Sequence, residues 1–152
     1  MSEIEGKEEA QPMRRGKKKL GNIEIVVDGV RFDSKAEARR YSQLRLLERA
    51  GEISDIRCQV VYELIPGHYE YVPTGKIFSR GARKGQAEYK RVTVELPVNY
   101  IADFVYKDKD GNTVVEDVKG YTDTKSATYA KFVIKRKLML WIHGVKVKEV
   151  KV

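Results

Sequence analysis

Two apolar segments that each carry an acid constrain the fold of this chain more than any other feature. They are Tyr100–Tyr106 (YIADFVY) and Thr113–Lys119 (TVVEDVK), and the dipeptide Asp110-Gly111 lies between them. Valine and aromatic residues favour strands, and Asp-Gly is typical of the tight turn that joins two antiparallel strands. The sequence therefore predicts a β-hairpin over these residues.

The predicted hairpin brings charged side chains together. Because alternate residues of a strand point to opposite faces, Asp117 and Lys119 share one face of the second strand, whereas Glu116 points to the other. Asp103, on the neighbouring strand, has apolar neighbours, as Asp117 does, and an unpaired charge in such surroundings is unfavourable. A bound cation would offset the repulsion between the two carboxylates, so the hairpin predicts a site that contains Asp103, Asp117 and Lys119.

The rest of the chain predicts an α/β fold. Helical periodicity alternates with strand patterns, which is typical of an α/β sandwich around a mixed sheet. Besides the hairpin, the predicted elements are a short hairpin over Ile23–Val27 and Val30–Phe32, a helix over Lys35–Ala50, strands over Arg57–Ile65 and Glu88–Leu96, a helix over Ser126–Ile142 and a final strand over Val145–Val152. The face of the second helix predicted to be buried carries Ala130, Ile134, Leu138 and Trp141.

Basic side chains concentrate in two regions. Pro66–Gln86 is rich in Gly and Pro and predicts a long, flexible insertion, whose basic residues are Lys76, Arg80, Arg83 and Lys84. The second helix and its approach carry Lys125, Lys131, Lys135 and Arg136. A solvated surface is the alternative for any single lysine, but as groups these residues predict contacts with DNA phosphates.

Charge and composition narrow the class of protein. The formal net charge is +8 and the pI is about 9.5, which favours a polyanionic partner. Met1–Asn22 carries an acidic and then a basic run with few apolar residues, so it predicts a disordered tail. The remaining residues, 23–152, are expected to form a single domain around one core.

The cysteine and histidine content limits the possible metals. Cys58 is the only cysteine, which excludes an intramolecular disulfide and a thiolate zinc cluster. His68 and His143 lie far from the acids in sequence, and structural roles are expected for both. Carboxylates would then have to hold any metal, which favours Mg²⁺ or Mn²⁺. With no signal peptide or membrane span in the sequence, a cytoplasmic location is expected.

The pattern FDSKAEARRY … YIADFVY … VVEDVKG resembles the PD-(D/E)XK nuclease superfamily, and most closely the small phage and archaeal-type Holliday-junction resolvases. The likeness covers about Ile23 to the C-terminus. In that superfamily an acid ends one strand and an acid-any-lysine triplet ends the next, as Asp103 and Asp117-Val118-Lys119 do here; several branches add a glutamate on the first helix, which Glu37 matches. The chain departs from the compact resolvases in its basic insertion, and from the commonest motif in using aspartate at position 117.

The resemblance implies a restriction-endonuclease-like αβββαβ core and a Mg²⁺-dependent DNA endonuclease in which Mn²⁺ can substitute. Asp103 and Asp117 would bind the metal with the Val118 carbonyl, and Glu37 would contribute through a water. Lys119 would orient the attacking water or offset charge on the phosphate. The resemblance also implies paired nicks in branched DNA by a homodimer, because matched cuts need two sites related by a twofold axis. The products would carry 5′-phosphate and 3′-hydroxyl ends, and a phage-encoded enzyme would act in the host-cell cytoplasm.

Simpler roles exist for the same residues. The chain contains six acid-any-lysine triplets, and only the strand context singles out the one at Asp117. Asp103 and Asp117 could instead form a structural ion pair with Lys119, and Ser34-x-x-Glu37 is also a capping-box pattern. The alternative functions are a non-catalytic DNA-binding module that retains the fold, a restriction- or transposase-type endonuclease that cuts duplex DNA, and an RNA-processing nuclease.

Overall fold

The structure, a computed structural model, describes residues 24–120 and 123–152. The predicted tail, Met1–Asn22, lies outside the described residues. The elements are β1 (Ile25–Val27), β2 (Val30–Phe32), α1 (Lys35–Arg49), β3 (Ile53–Ile65), β4 (His68–Ile77), β5 (Ala87–Glu95), β6 (Val98–Asp108), β7 (Thr113–Lys119), α2 (Ala127–His143) and β8 (Lys148–Lys151). Neither helix in this part of the chain is long and apolar enough to cross a membrane.

Four strands form a mixed sheet in the order β3-β6-β7-β8. β3 pairs antiparallel with β6, and β6 pairs antiparallel with β7, whereas β8 runs parallel to β7. A parallel pair needs a crossover connection, and α2 provides it. The predicted α/β class with a mixed sheet is therefore confirmed.

The two helices cover opposite faces of this sheet. Val115 of β7 belongs to a buried cluster with Phe132 and Met139 of α2. Val118, three residues further along the strand, belongs to a second cluster with Tyr41 of α1. Residues three apart in a strand point to opposite faces, so α1 and α2 lie on different sides of β7.

Helix α1 begins at the Ser34-x-x-Glu37 capping box, as that pattern predicts. The Ser34 hydroxyl accepts a hydrogen bond from the backbone N–H of Glu37 and caps the first turn, a contact worth about 1 kcal/mol. Ala38, Tyr41 and Leu44 are buried against the sheet. Leu44 is fully buried, and replacing such a residue with alanine typically lowers the free energy of unfolding by about 2–5 kcal/mol.

The hairpin of β6 and β7 forms as predicted. Val105 pairs with Val115 and Phe104 pairs with Glu116 in an antiparallel register. Gly111 has a φ of +81° in the connecting turn, a conformation that favours glycine. The hairpin thus fixes the relative positions of the motif strands.

The prediction of a long flexible loop over Pro66–Gln86 is wrong for most of its length. Residues His68–Ile77 form β4, which pairs with β5 in a two-stranded sheet separate from the four-stranded one. At the tip, residues 78–86, the Phe78 N–H donates to the Gln86 carbonyl at 3.0 Å. Pro73 and a nearby glycine interrupt the strand pattern and hide it in the sequence. We call β4, the tip and β5 the ribbon.

The predicted buried face of α2 is wrong at Ala130, Ile134 and Trp141, which are exposed, and right only at Leu138, which packs against the α2 cluster. Phe132 and Met139 are buried, whereas Ile134 is 60% exposed and Trp141 is 86% exposed. The helix carries apolar residues around most of its circumference, so more than one face fits the helical period. Contact with the sheet selects the face that is buried, and the helical period carries no information about that contact.

Two strand boundaries also differ from the predictions. β3 begins at Ile53, four residues before the predicted start at Arg57, and β8 covers only Lys148–Lys151. Residues 54–57 contain a register shift in β3, which breaks the alternation that marks a strand in sequence.

Candidate active site

Asp117 lies near the end of β7, on the face covered by α2. It is only 7% exposed, the Tyr100 hydroxyl donates a hydrogen bond to its Oδ1 at 3.2 Å, and the Lys119 ammonium forms an ion pair with its Oδ2. Burial raises the pKa of Asp117, and the contacts with Lys119 and Tyr100 oppose that rise. Apart from the ion pair, Oδ2 is a buried oxygen that receives no hydrogen bond of regular geometry from the described residues.

Asp103 occupies the facing position on β6. The antiparallel ladder of β6 and β7 ends just before Asp103 and Asp117 would pair, and Asp103 Oδ2 instead accepts a hydrogen bond from the Val118 N–H at 2.7 Å. Burial raises the pKa of Asp103 to about 7 against the effect of that hydrogen bond. The charges of Asp117 and Glu37 add to the rise, and the charge of Lys119 opposes it. The four predicted residues therefore interact electrostatically.

An irregular backbone position lies opposite Asp103. Gln59 of β3 has a φ of +56° and falls between the pairs Cys58–Phe104 and Val60–Ala102. The first of these pairs packs in the α1 cluster and the second in the α2 cluster. The strict alternation of faces is thus interrupted on both strands at the level of Asp103, and backbone strain of this kind often occurs at functional sites.

Lys119 is held on two sides. Its Nζ atom pairs with Asp117 and lies 3.8 Å from the centroid of the Phe132 ring. The ring face carries partial negative charge and stabilises an ammonium. These contacts keep the only cation of the motif beside the carboxylates, on the same face of β7 as the sequence predicts.

Glu37 has both a capping role and a place beside the aspartates. The Ser34 hydroxyl donates to Glu37 Oε1 at 2.7 Å and accepts from the Glu37 N–H at 3.1 Å. Burial raises the pKa of Glu37 against the Ser34 hydrogen bond, and the charges of Asp33 and Asp117 raise it further. The capping interpretation and the active-site interpretation are therefore compatible.

A cleft of about 400 Å³ opens beside these residues. Glu37 and Lys119 line it, together with Ser34 and Ser126, which cap the N-termini of α1 and α2. Helix N-termini present unpaired N–H groups and a positive end of the helix dipole. The cleft therefore combines an ammonium, the two carboxylates of Glu37 and Asp123, and two helix ends that suit a phosphate.

The carboxylates of the site supply only part of the ligands that a hard divalent cation such as Mg²⁺ requires. Within residues 24–120 and 123–152, no three His, Cys, Asp or Glu side chains are gathered closely enough to hold a metal together. Mg²⁺, however, keeps several waters and takes only one or two carboxylates, which Asp103 and Asp117 can supply. Asp117 Oδ2 has only the Lys119 ammonium as a partner among the described residues, so such an ion could share this oxygen with Lys119.

Tyr100 belongs to the site although the sequence did not point to it. Its hydroxyl is the donor to Asp117, and burial together with the charges of Asp117 and Asp103 raises the pKa of Tyr100. A tyrosine in an apolar strand gives no signal that its hydroxyl will meet a carboxylate. Tyr100 therefore remains a neutral donor that positions Asp117 at ordinary pH.

Glu116, next to Asp117, serves the opposite face. It is completely buried and accepts hydrogen bonds from Arg40 Nε at 2.9 Å, Arg40 Nη2 at 2.8 Å and the Tyr106 hydroxyl at 2.7 Å. Burial alone would raise the pKa of Glu116, but the Arg40 and Tyr106 contacts outweigh it and the pKa is lowered. This ion pair ties α1 to the sheet.

The predicted phosphate contacts on α2 fall into two kinds. Lys125 and Lys131 are exposed. Lys135, in contrast, donates to the Asn99 carbonyl at 2.7 Å, and Arg136 pairs with Glu149 at 2.8 Å. The last two therefore already stabilise the fold.

The other predicted phosphate contacts lie on the ribbon rather than on a loose loop. Lys76 is in β4, and Arg80, Arg83 and Lys84 are in the tip. All four are exposed. The basic residues thus form two separate groups along the chain.

Comparison with known proteins gives a family but no activity. The family described as "Protein of unknown function (DUF1064)" has a sequence model that matches residues 17–150. No curated protein and no solved structure matches the chain.

Proposed function

The chain belongs to the DUF1064 family of proteins of unknown function, and we propose that it is a metal-dependent DNA endonuclease. The observation that carries the proposal is the electrostatic coupling of Asp103, Asp117, Glu37 and Lys119. Three carboxylates of raised pKa beside one ammonium are unfavourable for folding alone. Groups of that kind are common at catalytic sites.

The order of elements supports the same assignment. Without the ribbon and the N-terminal hairpin of β1 and β2, the chain runs α1, β3, β6, β7, α2, β8, which agrees with a restriction-endonuclease-like αβββαβ core. Asp103 and Asp117 occur on the second and third strands of that order, where the PD-(D/E)XK pattern has its acids. Fold likeness alone does not give function, so the proposed activity rests on the side chains of the site.

Mg²⁺, or Mn²⁺ in its place, would be held by Asp103 and Asp117 with the Val118 carbonyl, and Glu37 would act through a water. When bound, the ion would supply Lewis acidity toward the phosphate and a water of lowered pKa. Lys119 favours the charged form of Asp117 against the effect of burial on its pKa, whereas Asp103 must lose the proton that its pKa of about 7 lets it hold near neutrality.

Lys119 and the N-terminal ends of the two helices would bind the phosphate of the substrate. The Lys119 ammonium is fixed between Asp117 and Phe132, so it can offset charge that develops on the phosphate oxygens. The starts of α1 and α2 line the same cleft, and first-turn N–H groups that are not bonded to the capping serines suit the remaining oxygens. Glu37 is positioned by Ser34 to accept a proton from a water in the cleft.

Branched DNA is the proposed substrate, with Holliday-junction resolution as its specific form. A homodimer would place two clefts about a twofold axis and give paired nicks, whose ends would be 5′-phosphate and 3′-hydroxyl. Exposed Lys125 and Lys131 near the start of α2 would bind backbone phosphates without reading sequence.

The test is cleavage of a synthetic four-way junction, a linear duplex and a single strand, with Mg²⁺ and with EDTA. We expect Mg²⁺-dependent paired nicks near the branch and little cutting of the duplex. Asp117→Asn should abolish cleavage and retain junction binding, whereas Asp110→Asn, a matched change in the exposed turn of the same hairpin, should leave cleavage unchanged. Absence of cleavage of every DNA form by the wild type would favour the non-catalytic binding module, and sequence-specific duplex cutting would favour the restriction-type enzyme.

A further inference from the structure

One face of the ribbon carries three tyrosines and an arginine. Tyr71 pairs with Arg91, Tyr69 with Thr93 and Pro73 with Tyr89 in a regular antiparallel register. Directly paired residues point to the same side, and residues two apart share a face. We call Tyr69, Tyr71, Tyr89 and Arg91 the aromatic face.

The aromatic face is open to solvent. Tyr71 is 69% exposed and Tyr89 is 58% exposed, while Tyr69 is partly covered by the Arg91 guanidinium, which lies 4.5 Å from its ring centroid. The ribbon strands pair only with each other among the described residues. None of these rings belongs to the two buried clusters that form the main core.

The aromatic face continues into a cleft at the tip. Tyr71 and Tyr89 line a space of about 600 Å³ with Phe78 and Arg83, and the Arg83 guanidinium lies 4.8 Å from the Phe78 ring centroid. Flat rings and a guanidinium around one cleft form surfaces on which a nucleobase can stack.

The tip supplies charge of one sign. Residues 76–86 contain Lys76, Arg80, Arg83 and Lys84 and no acid. The tip is ordered by backbone hydrogen bonds, among them that from the Gly85 N–H to the Phe78 carbonyl at 2.9 Å. Three cations on the ordered tip, with Lys76 at the adjoining end of β4, lie beside aromatic rings and complement a polyanion that also has exposed rings.

We propose that the ribbon is a binding site for unpaired DNA, in which bases stack on Tyr71 and Tyr89 while the tip binds the adjoining phosphates. Unpaired bases are favoured over a duplex because stacked pairs in a duplex do not offer their faces to a side chain. A nucleic acid is favoured over an apolar protein surface because Arg83 lines the cleft and the exposed Lys76, Arg80 and Lys84 lie close to it in the chain. The choice of DNA rather than RNA rests on the proposed function. The proposal that the ribbon binds unpaired bases does not depend on that function.

The test measures binding in EDTA, so that its outcome is independent of metal-dependent cleavage. Wild-type protein is titrated with a labelled oligothymidylate, with an abasic strand of equal length and with an oligouridylate. Stacking predicts that oligothymidylate binds about tenfold more tightly than the abasic strand, which has the same phosphates. The double variant Tyr71→Ala/Tyr89→Ala should lose this preference, whereas Tyr71→Phe/Tyr89→Phe should keep most of it because the rings remain.

Val92→Ala is the matched control, because Val92 pairs with Glu70 and so lies on the opposite face of the ribbon; it should bind like the wild type. A second measurement uses the wild type alone: ultraviolet crosslinking to 5-iodouracil in the strand should label Tyr71 or Tyr89. Equal affinity for the abasic strand, crosslinks confined to residues outside the ribbon, or an unchanged preference in the folded alanine variant would overturn the proposal. Tighter binding of oligouridylate would overturn the choice of DNA.

Discussion

The Asp103 carboxylate accepts a hydrogen bond from the Val118 N–H at 2.7 Å across the point where the ladder of β6 and β7 has ended. The contact fixes Asp103 beside the motif strand through a neutral donor, so it stabilises the carboxylate without removing its repulsion from Asp117. Burial and that repulsion together keep the pKa of Asp103 near 7. The metal-free site is therefore strained by charge at alkaline pH.

Replacing Asp103 with asparagine should stabilise the metal-free protein, and more so as the pH rises. The pKa of Asp103 is about 7 in the folded state against an ordinary value of 3.8, so the folded state retains a proton that the unfolded state has lost. The contribution of this protonation to the free energy of unfolding has its full value below pH 3.8 and is lost as the pH rises through about 7. Asparagine does not ionise and can still accept from Val118, so we expect a gain of about 2 kcal/mol at pH 8.

Urea unfolding in EDTA at pH 5 and pH 8 measures this effect. The gain from Asp103→Asn should be small at pH 5 and larger at pH 8. A variant less stable than the wild type at pH 8 would show that the carboxylate is stabilised by its surroundings.

Glu116 and Asp117 are adjacent but should respond in opposite ways to loss of charge. Glu116→Gln breaks the ion pair of the fully buried Glu116 with the partly buried Arg40 and should lower the free energy of unfolding by about 3 kcal/mol, with cleavage retained by the folded fraction. Asp117→Asn should abolish cleavage while stability stays equal or rises, because burial already raises the pKa of Asp117. Urea unfolding and single-turnover cleavage on the same samples separate the effect on stability from the effect on cleavage. Loss of cleavage in fully folded Glu116→Gln would contradict the assignment of Glu116 to stability alone.

Lys119→Met should reduce the rate of cleavage by about 10²–10³-fold, as removal of a fixed electrostatic donor does in other enzymes. DNA binding should change little, because Lys119 is one of 30 lysines and arginines. Single-turnover rates and binding by electrophoretic mobility shift test both parts. Lys146→Met, at an exposed lysine outside the site, is the control, and an equal rate loss in both variants would mean that only overall charge matters.

Metal binding should release a proton from Asp103 and therefore depend on pH. A metal ligand must be deprotonated, so below pH 7 each unit should weaken Mg²⁺ binding by about tenfold. Mg²⁺ should then raise the melting temperature at pH 8 and much less at pH 6. Asp117→Asn should remove the Mg²⁺-induced rise in melting temperature at both pH 6 and pH 8. If that rise in the wild type is the same at pH 6 and pH 8, Asp103 is ruled out as a ligand.

The sequence predicted those parts of the fold that local pattern determines. The Asp110-Gly111 turn and the alternation in TVVEDVK gave the hairpin, the side of β7 on which Asp117 and Lys119 lie, and the opposite side for Glu116. Ser34 likewise marked the start of α1. In each case the residues that decide the structure are neighbours in the chain.

The features that the sequence did not predict depend on contacts between distant residues. The buried face of α2 is selected by the sheet, which receives Phe132 and Met139 and leaves Trp141 exposed. The Tyr100 hydroxyl contacts Asp117, which lies 17 residues away in the sequence. The irregular Gln59 lies opposite Asp103, and no local pattern marks it. The ribbon was missed because Pro73 interrupts a strand that pairs outside the main sheet, where proline is tolerated.

The most direct test of the proposed metal site is anomalous diffraction from crystals soaked in Mn²⁺ at pH 8. We expect a single strong peak or a pair of peaks within coordination distance of Asp103 and Asp117, and none at that position in Asp117→Asn crystals. A map from well-soaked crystals with no peak between these two carboxylates, or with the same peak in the variant, would contradict the proposed metal-dependent site.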